Sequence, residues 1–289
     1  MPRSPAAAID AEHEDEPSVI DESLIKVSDP SHNAFWKLRV LWEQDGLLAL
    51  EKPSHLLVSP DKHRADYPVL TKLLQRDINR GATWNRSRSY QFLELIYSLD
   101  FETTGIALFA TRQDVFEAIR NCVGSRKMVF THLALSHGVA SELDFSIDLK
   151  LAPHPARRWL MRVNRTKGKQ TLIRCRVLEQ FRSFCLLKCR SETVRHHQTR
   201  VCLQSHGMPP VGDSLYGGKL LFLSELKRQY RSKRTSPEKP LIDRPAIHHD
   251  TLEFDHPLNE TPVKIESPMP KDVAASLKFL RQFDPQTHF

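Results

Sequence analysis

The order of apolar runs constrains this chain more than any other feature. The segments 129–135, 159–163, 170–178 and 183–189 all read as strands, and no stretch of helical periodicity separates them. Strands and helices therefore do not alternate in the βαβ rhythm that builds a doubly wound parallel sheet. The pattern predicts an α+β fold with a mixed, largely antiparallel sheet and flanking helices.

Other elements fall around this block. The run 47–53 reads as a short buried strand stopped by Pro53. Val69, Leu70, Leu73, Leu74 and Ile78 recur at helical spacing and predict a helix over 68–79. Two strand-like runs, 91–97 and 106–111, flank a polar turn. Thr111 and Asp114 resemble a cap for a helix that carries Val115, Ile119 and Cys122 on one face. Further on, a helix is predicted from about His197 to Ser205, ending at Gly207, and another over the first half of the basic segment 219–240. A strand over 248–254 and a helix over 271–283, with Val273, Leu277 and Leu280 on one face, close the chain.

Charge is unevenly distributed. The chain carries +7 overall, but residues 1–24 hold seven acids and one base, so the remainder carries +13. A positive body suits a polyanion such as RNA, although a basic surface with no such partner is compatible with the same count. Residues 1–33, rich in Pro, Ser, Ala and acid, are expected to form a disordered tail. No apolar run reaches 18 residues and the N-terminus lacks an apolar core, so neither a membrane span nor a secretory signal is expected. The five cysteines are odd in number and sit in apolar runs, which predicts reduced, buried thiols in a cytoplasmic protein. Cys185 and Cys189 lack a second pair, and His248 and His249, adjacent on a strand, face opposite sides, so no metal site is expected.

Three polar segments are candidates for chemistry. In the first, Asp100 ends an apolar run inside the turn Tyr97-Ser98-Leu99-Asp100-Phe101-Glu102-Thr103-Thr104-Gly105. Rigid strands can hold such a carboxylate at a cleft edge, and a turn aspartate can equally cap its own backbone. In the second, Thr193-Val194-Arg195-His196-His197-Gln198-Thr199-Arg200-Val201, basic and amide groups gather at a helix start and suit a phosphate or a carboxylate. The third, Val211-Gly212-Asp213-Ser214-Leu215-Tyr216-Gly217-Gly218, has turn-forming glycines but neither a dinucleotide nor a P-loop spacing.

In order and spacing these segments resemble the RluA-type RNA pseudouridine synthases. That family carries an HRLDxxTSG-like stretch, a KxYxALV-like strand, then TGRxHQIRxH and a GDxxYG turn. Here Phe130-Thr131-His132-Leu133-Ala134-Leu135 stands for the strand. Lys52-Pro53, Gly168-Lys169 before Thr171, and Ile247-His248 with Leu252-Glu253-Phe254-Asp255-His256-Pro257 match flanking motifs. The likeness covers roughly residues 40–280.

The resemblance implies a pseudouridine synthase fold with a central cleft, a tail over 1–33, a catalytic domain over 34–289 and no N-terminal S4 module. It implies an isomerase that turns uridine into pseudouridine in rRNA or tRNA, as a cytoplasmic monomer, with no metal or organic cofactor. Asp100 would be the nucleophile, Arg200 its cationic partner, and His132 would stand where the family has a tyrosine that stacks on uracil. Tyr97, Thr104, Arg195 and Gln198, with Lys169 and Arg158, would contact substrate. Charge, apart from the resemblance, predicts RNA contacts from Arg157, Arg158, Arg162, Arg165, Lys167 and Lys169, and from Lys227, Arg228, Arg231, Lys233 and Arg234. Tyr97, Ser98, His132, Val194 and His55 depart from the family pattern. A non-catalytic RNA-binding protein on the same fold, or more remotely a metal-free hydrolase using Asp100, fits those departures.

Overall fold

Leu24–Asp29 (β1) and Ala34–Gln44 (β2) open the fold as an antiparallel pair, with Ile25 and Val27 buried on one face of β1. The computed structural model describes residues 22–227, 230 and 237–286. After β2 come β3 (Leu47–Lys52), α1 (Leu70–Asn79), α2 (Thr83–Arg86), β4 (Glu94–Leu95), β5 (Thr104–Ala110) and α3 (Gln113–Gly124). Then follow β6 (Met128–His137), β7 (Asp144–Pro153), β8 (Met161–Val163), β9 (Lys169–Gln180), β10 (Phe184–Ser191) and α4 (Gln198–Ser205). The chain closes with α5 (Leu223–Leu226), β11 (Ile247–Asp255), β12 (Pro262–Glu266) and α6 (Lys271–Phe283).

The strands form one sheet in the order β1-β2-β3-β5-β11-β6-β10-β9-β7-β8, with β4 on β5 and β12 on β11. Among the described strand pairs only β11 with β5 is parallel, through His248↔Thr104 and His249↔Gly105; an isolated parallel bridge joins Leu57 to Val69 outside the strands. The expected α+β fold with a mixed, mostly antiparallel sheet is the observed one. Along β9 the buried Thr171, Ile173 and Cys175 alternate with the exposed Arg174 and Arg176, as a strand with one solvated face requires.

Two main cores flank the centre of the sheet. One joins β1, β3, β5, α1 and α3 around Leu50, Leu74 and Phe109; the other joins β6, β7, β9, β10 and α4 around Ala134, Leu187 and Leu203. A smaller cluster seats α6 through Val273, Leu277 and Leu280, as its spacing predicts. The loop before β5, the middle of β6 and the start of α4 meet between the two main cores.

The structure differs from the sequence reading in several places. The tail does not extend to residue 33: β1 and a 3-10 turn over Pro30–His32 are built there, because pairing with β2 gives a short segment the burial it lacks alone. Residues 1–21, with most of the tail's acids, lie outside the described residues. The strand β7 was not anticipated, although Ile147 and Leu151 alternate with Asp148 and Lys150. In the run 91–97 only Glu94 and Leu95 pair. Arg112, not Thr111, is the N-cap of α3, with no side-chain capping bond. Among the described residues of the basic segment one helical turn, α5, is present; Arg228, Arg231, Lys233 and Arg234 lie outside the described residues.

Candidate active site

The loop carrying Asp100 is fastened from beneath. Lys52, fully buried at the end of β3, donates from Nζ to the carbonyls of Pro53 (2.8 Å), Phe101 (3.0 Å) and Thr103 (2.7 Å). Gly105 then enters β5 at φ +113, where a Cβ would lie 2.1 Å from the His249 carbonyl oxygen. Only glycine lets β5 approach β11 this closely directly behind the loop. Burial depresses the Lys52 ammonium to about 7, against the pull of Asp100 and Glu102.

From the other side, α4 delivers three groups to Asp100. His197, the N-cap of α4, adopts the left-handed conformation (φ 53°), and its amide donates to Asp100 Oδ1 at 3.2 Å. A non-glycine residue held there stores local strain, which is concentrated at functional sites. His196 Nδ1 lies 3.5 Å from the same oxygen, and Arg200 Nη1 lies 3.7 Å from Oδ2. The Asp100 side chain is 16% exposed, so the carboxylate opens to solvent on the side of the exposed His196, while Arg200 and His197 are buried. Burial works against its ionisation, but His197, Arg200, His196 and the His197 amide outweigh it and hold the carboxyl below its ordinary range.

Arg200 is engaged elsewhere more tightly. Its Nε and Nη2 each donate to Asp213 at 2.7 Å, and its Nη1 faces Glu102 at 3.5 Å. Asp213 is fully buried. Glu102 also receives Arg64 at 2.6 Å; although burial opposes its charge, Arg200 and Arg64 keep its carboxyl low. The guanidinium lies over the Tyr216 ring, 5.2 Å from its centroid. Thus the expected Asp100–Arg200 pair exists as a longer contact inside a network whose short, bidentate bond goes to Asp213.

His132, in the middle of β6, lines a pocket of about 30 Å³ together with Asp100, Thr103, Arg195, Gln198 and Arg200. Its ring stacks on His249 of β11, with centroids 4.8 Å apart. Burial pushes the His132 imidazole down to about 4 against the opposing charge of Asp100, so it is neutral near pH 7. His249 Nδ1 donates to the Ile106 carbonyl at 2.9 Å, and its buried Nε2 has no partner among the described residues.

The other expected contact residues divide. Arg195 lines the pocket while donating to Thr171 Oγ1 and the Gln170 carbonyl, both at 3.2 Å. Gln198 lines it too, but its Nε2 donates to Ser191 Oγ (2.8 Å) and the Thr193 carbonyl (2.9 Å), so its amide holds the loop together. Tyr97 is a correction. It packs in the core, edge-on to Phe130, and its hydroxyl donates to the Ile106 carbonyl at 3.2 Å. Thr104 is another: its hydroxyl meets His248 Nδ1 at 2.9 Å inside the sheet, and Thr103 lines the pocket in its place. The Thr104 reversal follows from alternation where β5 begins, which sends Thr103 and Thr104 to opposite sides, whereas Tyr97 lies in a bend that packs it into the core. Lys169 is exposed at the start of β9 and lines neither pocket nor cleft; Arg158 lines an adjoining cleft of about 650 Å³.

The sequence reading did not single out Lys52, Glu102, Asp213 or Tyr216 as parts of the site. Asp213 and Tyr216 stood in the glycine-rich turn, but nothing in their spacing shows that the turn packs on α4.

Asp100, His196 and His197 bring ligand-type atoms within 4.8 Å of one another, the one such group among the described residues. The two rings stack at 3.7 Å, and His197 Nδ1 accepts from the Tyr216 hydroxyl at 2.7 Å. Stacked imidazoles aim their in-plane lone pairs side by side rather than at one point, a poor arrangement for a shared ion.

The arrangement offers an ionised, partly exposed carboxylate, a cation network beneath it and a neutral imidazole in the same pocket. Such a set can perform nucleophilic attack and proton transfer. The sequence pattern of the RNA pseudouridylate synthase family matches residues 46–205. Ribosomal large subunit pseudouridine synthase D of Xanthomonas campestris pv. campestris is 31% identical over 245 residues, covering 85% of this chain and 70% of that protein. The protein of the same name from Nitrosomonas europaea is 32% identical over 262 residues, covering 88% and 69%. Among solved structures, human RNA pseudouridylate synthase domain containing 4 superposes with a TM-score of 0.62 at 18% identity, over 84% of this chain and 92% of that one.

Proposed function

Because the chain belongs to the RNA pseudouridylate synthase family, and so is an isomerase of uridine in RNA, we propose that Asp100 is its nucleophile and ribosomal RNA of the large subunit its substrate. The substrate choice rests on what the relatives' names say they act on. The observation that carries the catalytic reading is the one partly open carboxylate that shares a pocket with both a buried guanidinium and a neutral imidazole.

In this reading the target uridine leaves its stack and enters the pocket beside Asp100. The carboxylate attacks the nucleoside, the bond between N1 and the ribose breaks, and the uracil turns. C5 then bonds to the sugar in place of N1 and the bond to Asp100 breaks, which regenerates the carboxylate; C5 loses its proton and N1 gains one, so composition is unchanged. His132 takes the C5 proton; its neutral ring has a free lone pair near pH 7. Arg200 keeps Asp100 ionised, and Asp213 keeps Arg200 in place. Arg195 and Arg158 bind phosphate at the pocket and cleft. No cofactor enters the scheme, and a cytoplasmic monomer is part of the same proposal. Among the described residues no helix is long and apolar enough to cross a membrane.

The test is Asp100→Asn in a strain lacking the protein. Pseudouridine mapping across total RNA should show sites restored by the wild-type chain and not by the variant, while the variant still binds RNA. Restoration by Asp100→Asn would remove the aspartate from the chemistry.

A further inference from the structure

The turn between β7 and β8 is held against the active site by its backbone and leaves a large aromatic side chain outside. Trp159, in that turn, is 40% exposed and lines the 650 Å³ cleft with His63, Arg158 and His196. Its carbonyl accepts from His196 Nε2 at 2.9 Å, the same histidine whose Nδ1 faces Asp100. Two residues on, the Met161 amide donates to the Tyr216 hydroxyl at 2.9 Å, which in turn donates to His197 Nδ1 at 2.7 Å. Leu160 between them is buried. The turn is therefore tied to α4 at two points, so the indole has a fixed base and an open face.

The surroundings define what that face fits. The His63 ring lies 5.0 Å from the indole at 50°, extending the aromatic surface. Lys62, Arg64 and Arg158 line the same cleft and supply positive charge, although Arg64 is bound to Glu102. Ser98 and Leu99 line both this cleft and the small pocket of Asp100. The cleft thus adjoins the uridine pocket directly. A flat, open aromatic face with cations beside it matches one nucleotide, a planar base with its phosphate.

We propose that Trp159, flanked by His63, is the stacking platform for the nucleobase next to the target uridine. This deepens the RNA-modifying reading and rests on it. The platform holds the strand on one side of the flipped nucleotide while the turn's links to His196 and His197 set its distance from Asp100. Trp159 acts on binding and register, not on the bond-making step.

Short single-stranded RNAs with one central uridine and a 2-aminopurine either beside it or at the far end are the probes, used with the full-length chain. The wild-type protein should quench the adjacent 2-aminopurine and leave the distal one bright. Trp159→Ala should lose that quench and weaken affinity about 5- to 150-fold, the range for removing a base-stacking aromatic. Trp159→Phe should retain the quench, which separates stacking from folding. On RNA with an abasic site in place of the adjacent base, wild type and Trp159→Ala should bind alike. No quench with wild type, an unchanged quench in Trp159→Ala, or an affinity loss that persists on abasic RNA would overturn the proposal. The signal needs no turnover, so Asp100→Asn should quench as wild type does. Quenching without pseudouridine formation by the wild-type chain would count against the chemistry and leave the platform standing.

Discussion

Arg200 commits Nε and Nη2 to Asp213, each across 2.7 Å, and leaves Nη1 to face Asp100 at 3.7 Å and Glu102 at 3.5 Å. The guanidinium is thus fixed by one carboxylate and presented to two others. Both Arg200 and Asp213 are fully or almost fully buried, so the pair has little competition from water.

Removing Asp213 should therefore be felt in stability as well as in activity. Asp213→Asn leaves a buried guanidinium without its main counter-charge, and breaking a buried pair in this way costs about 3–5 kcal/mol. Urea unfolding of Asp213→Asn checks the size. Adding Arg200→Gln on top should lose much less than the sum of the two single changes, because the same interaction is removed only once.

Lys52→Met should loosen the loop that carries Asp100. The substitution preserves the shape of the stem but leaves the carbonyls of Pro53, Phe101 and Thr103 without their donor. Unsatisfied buried carbonyls make a loss of roughly 3 kcal/mol or more the expected outcome. Hydrogen exchange at the amides of residues 101–103 should accelerate in parallel with a fall in kcat. An unchanged exchange rate would mean that Lys52 does not hold the loop.

Tyr97→Phe distinguishes a core tyrosine from a substrate contact. The hydroxyl's bond to the Ile106 carbonyl is its main polar link, so the variant should lose about 0.5–1.5 kcal/mol of stability. Its kcat and KM for RNA should remain those of wild type. A raised KM with no change in the melting curve would return Tyr97 to the substrate surface.

Acid should act on the site through His132. Its folded-state value of about 4 lies below the ordinary 6.5, so between those values the unfolded chain binds more protons than the folded one. Stability from this group is present above pH 6.5 and is lost as the pH falls toward 4, by about 3 kcal/mol. His132→Phe should flatten the slope of unfolding free energy across that window. In the wild-type enzyme the rate should show no loss of base near pH 6.5, because the imidazole is already neutral there.

The parts of the site legible in the chain are those that local spacing encodes. The turn carrying Asp100 between apolar runs, the helix start with Arg195, Gln198 and Arg200, and the strand with His132 could all be read along the sequence. Tyr97 and Thr104 were assigned to the substrate because they belong to the right motif, yet each neighbours the residue that faces the pocket edge. A motif gives membership in a loop, and side-chain direction depends on how the loop docks. The first strand escapes a reading along the chain because its burial comes from pairing with β2, whereas β7 carries a regular alternation of Phe145, Ile147, Leu149 and Leu151 with Ser146, Asp148 and Lys150 that could have been read.

By itself the sequence determined the fold class and the family likeness, and it singled out Asp100 as the candidate carboxylate, because hydrophobic period and motif order are properties of neighbouring residues. Only the tertiary structure decided that Arg200 answers first to Asp213, that Lys52 clamps the loop from below, and that the turn carrying Trp159 is fastened to His196 and, through Tyr216, to His197. These are contacts between residues far apart in the chain, and they exist only once burial and sheet register have brought them within hydrogen-bonding range.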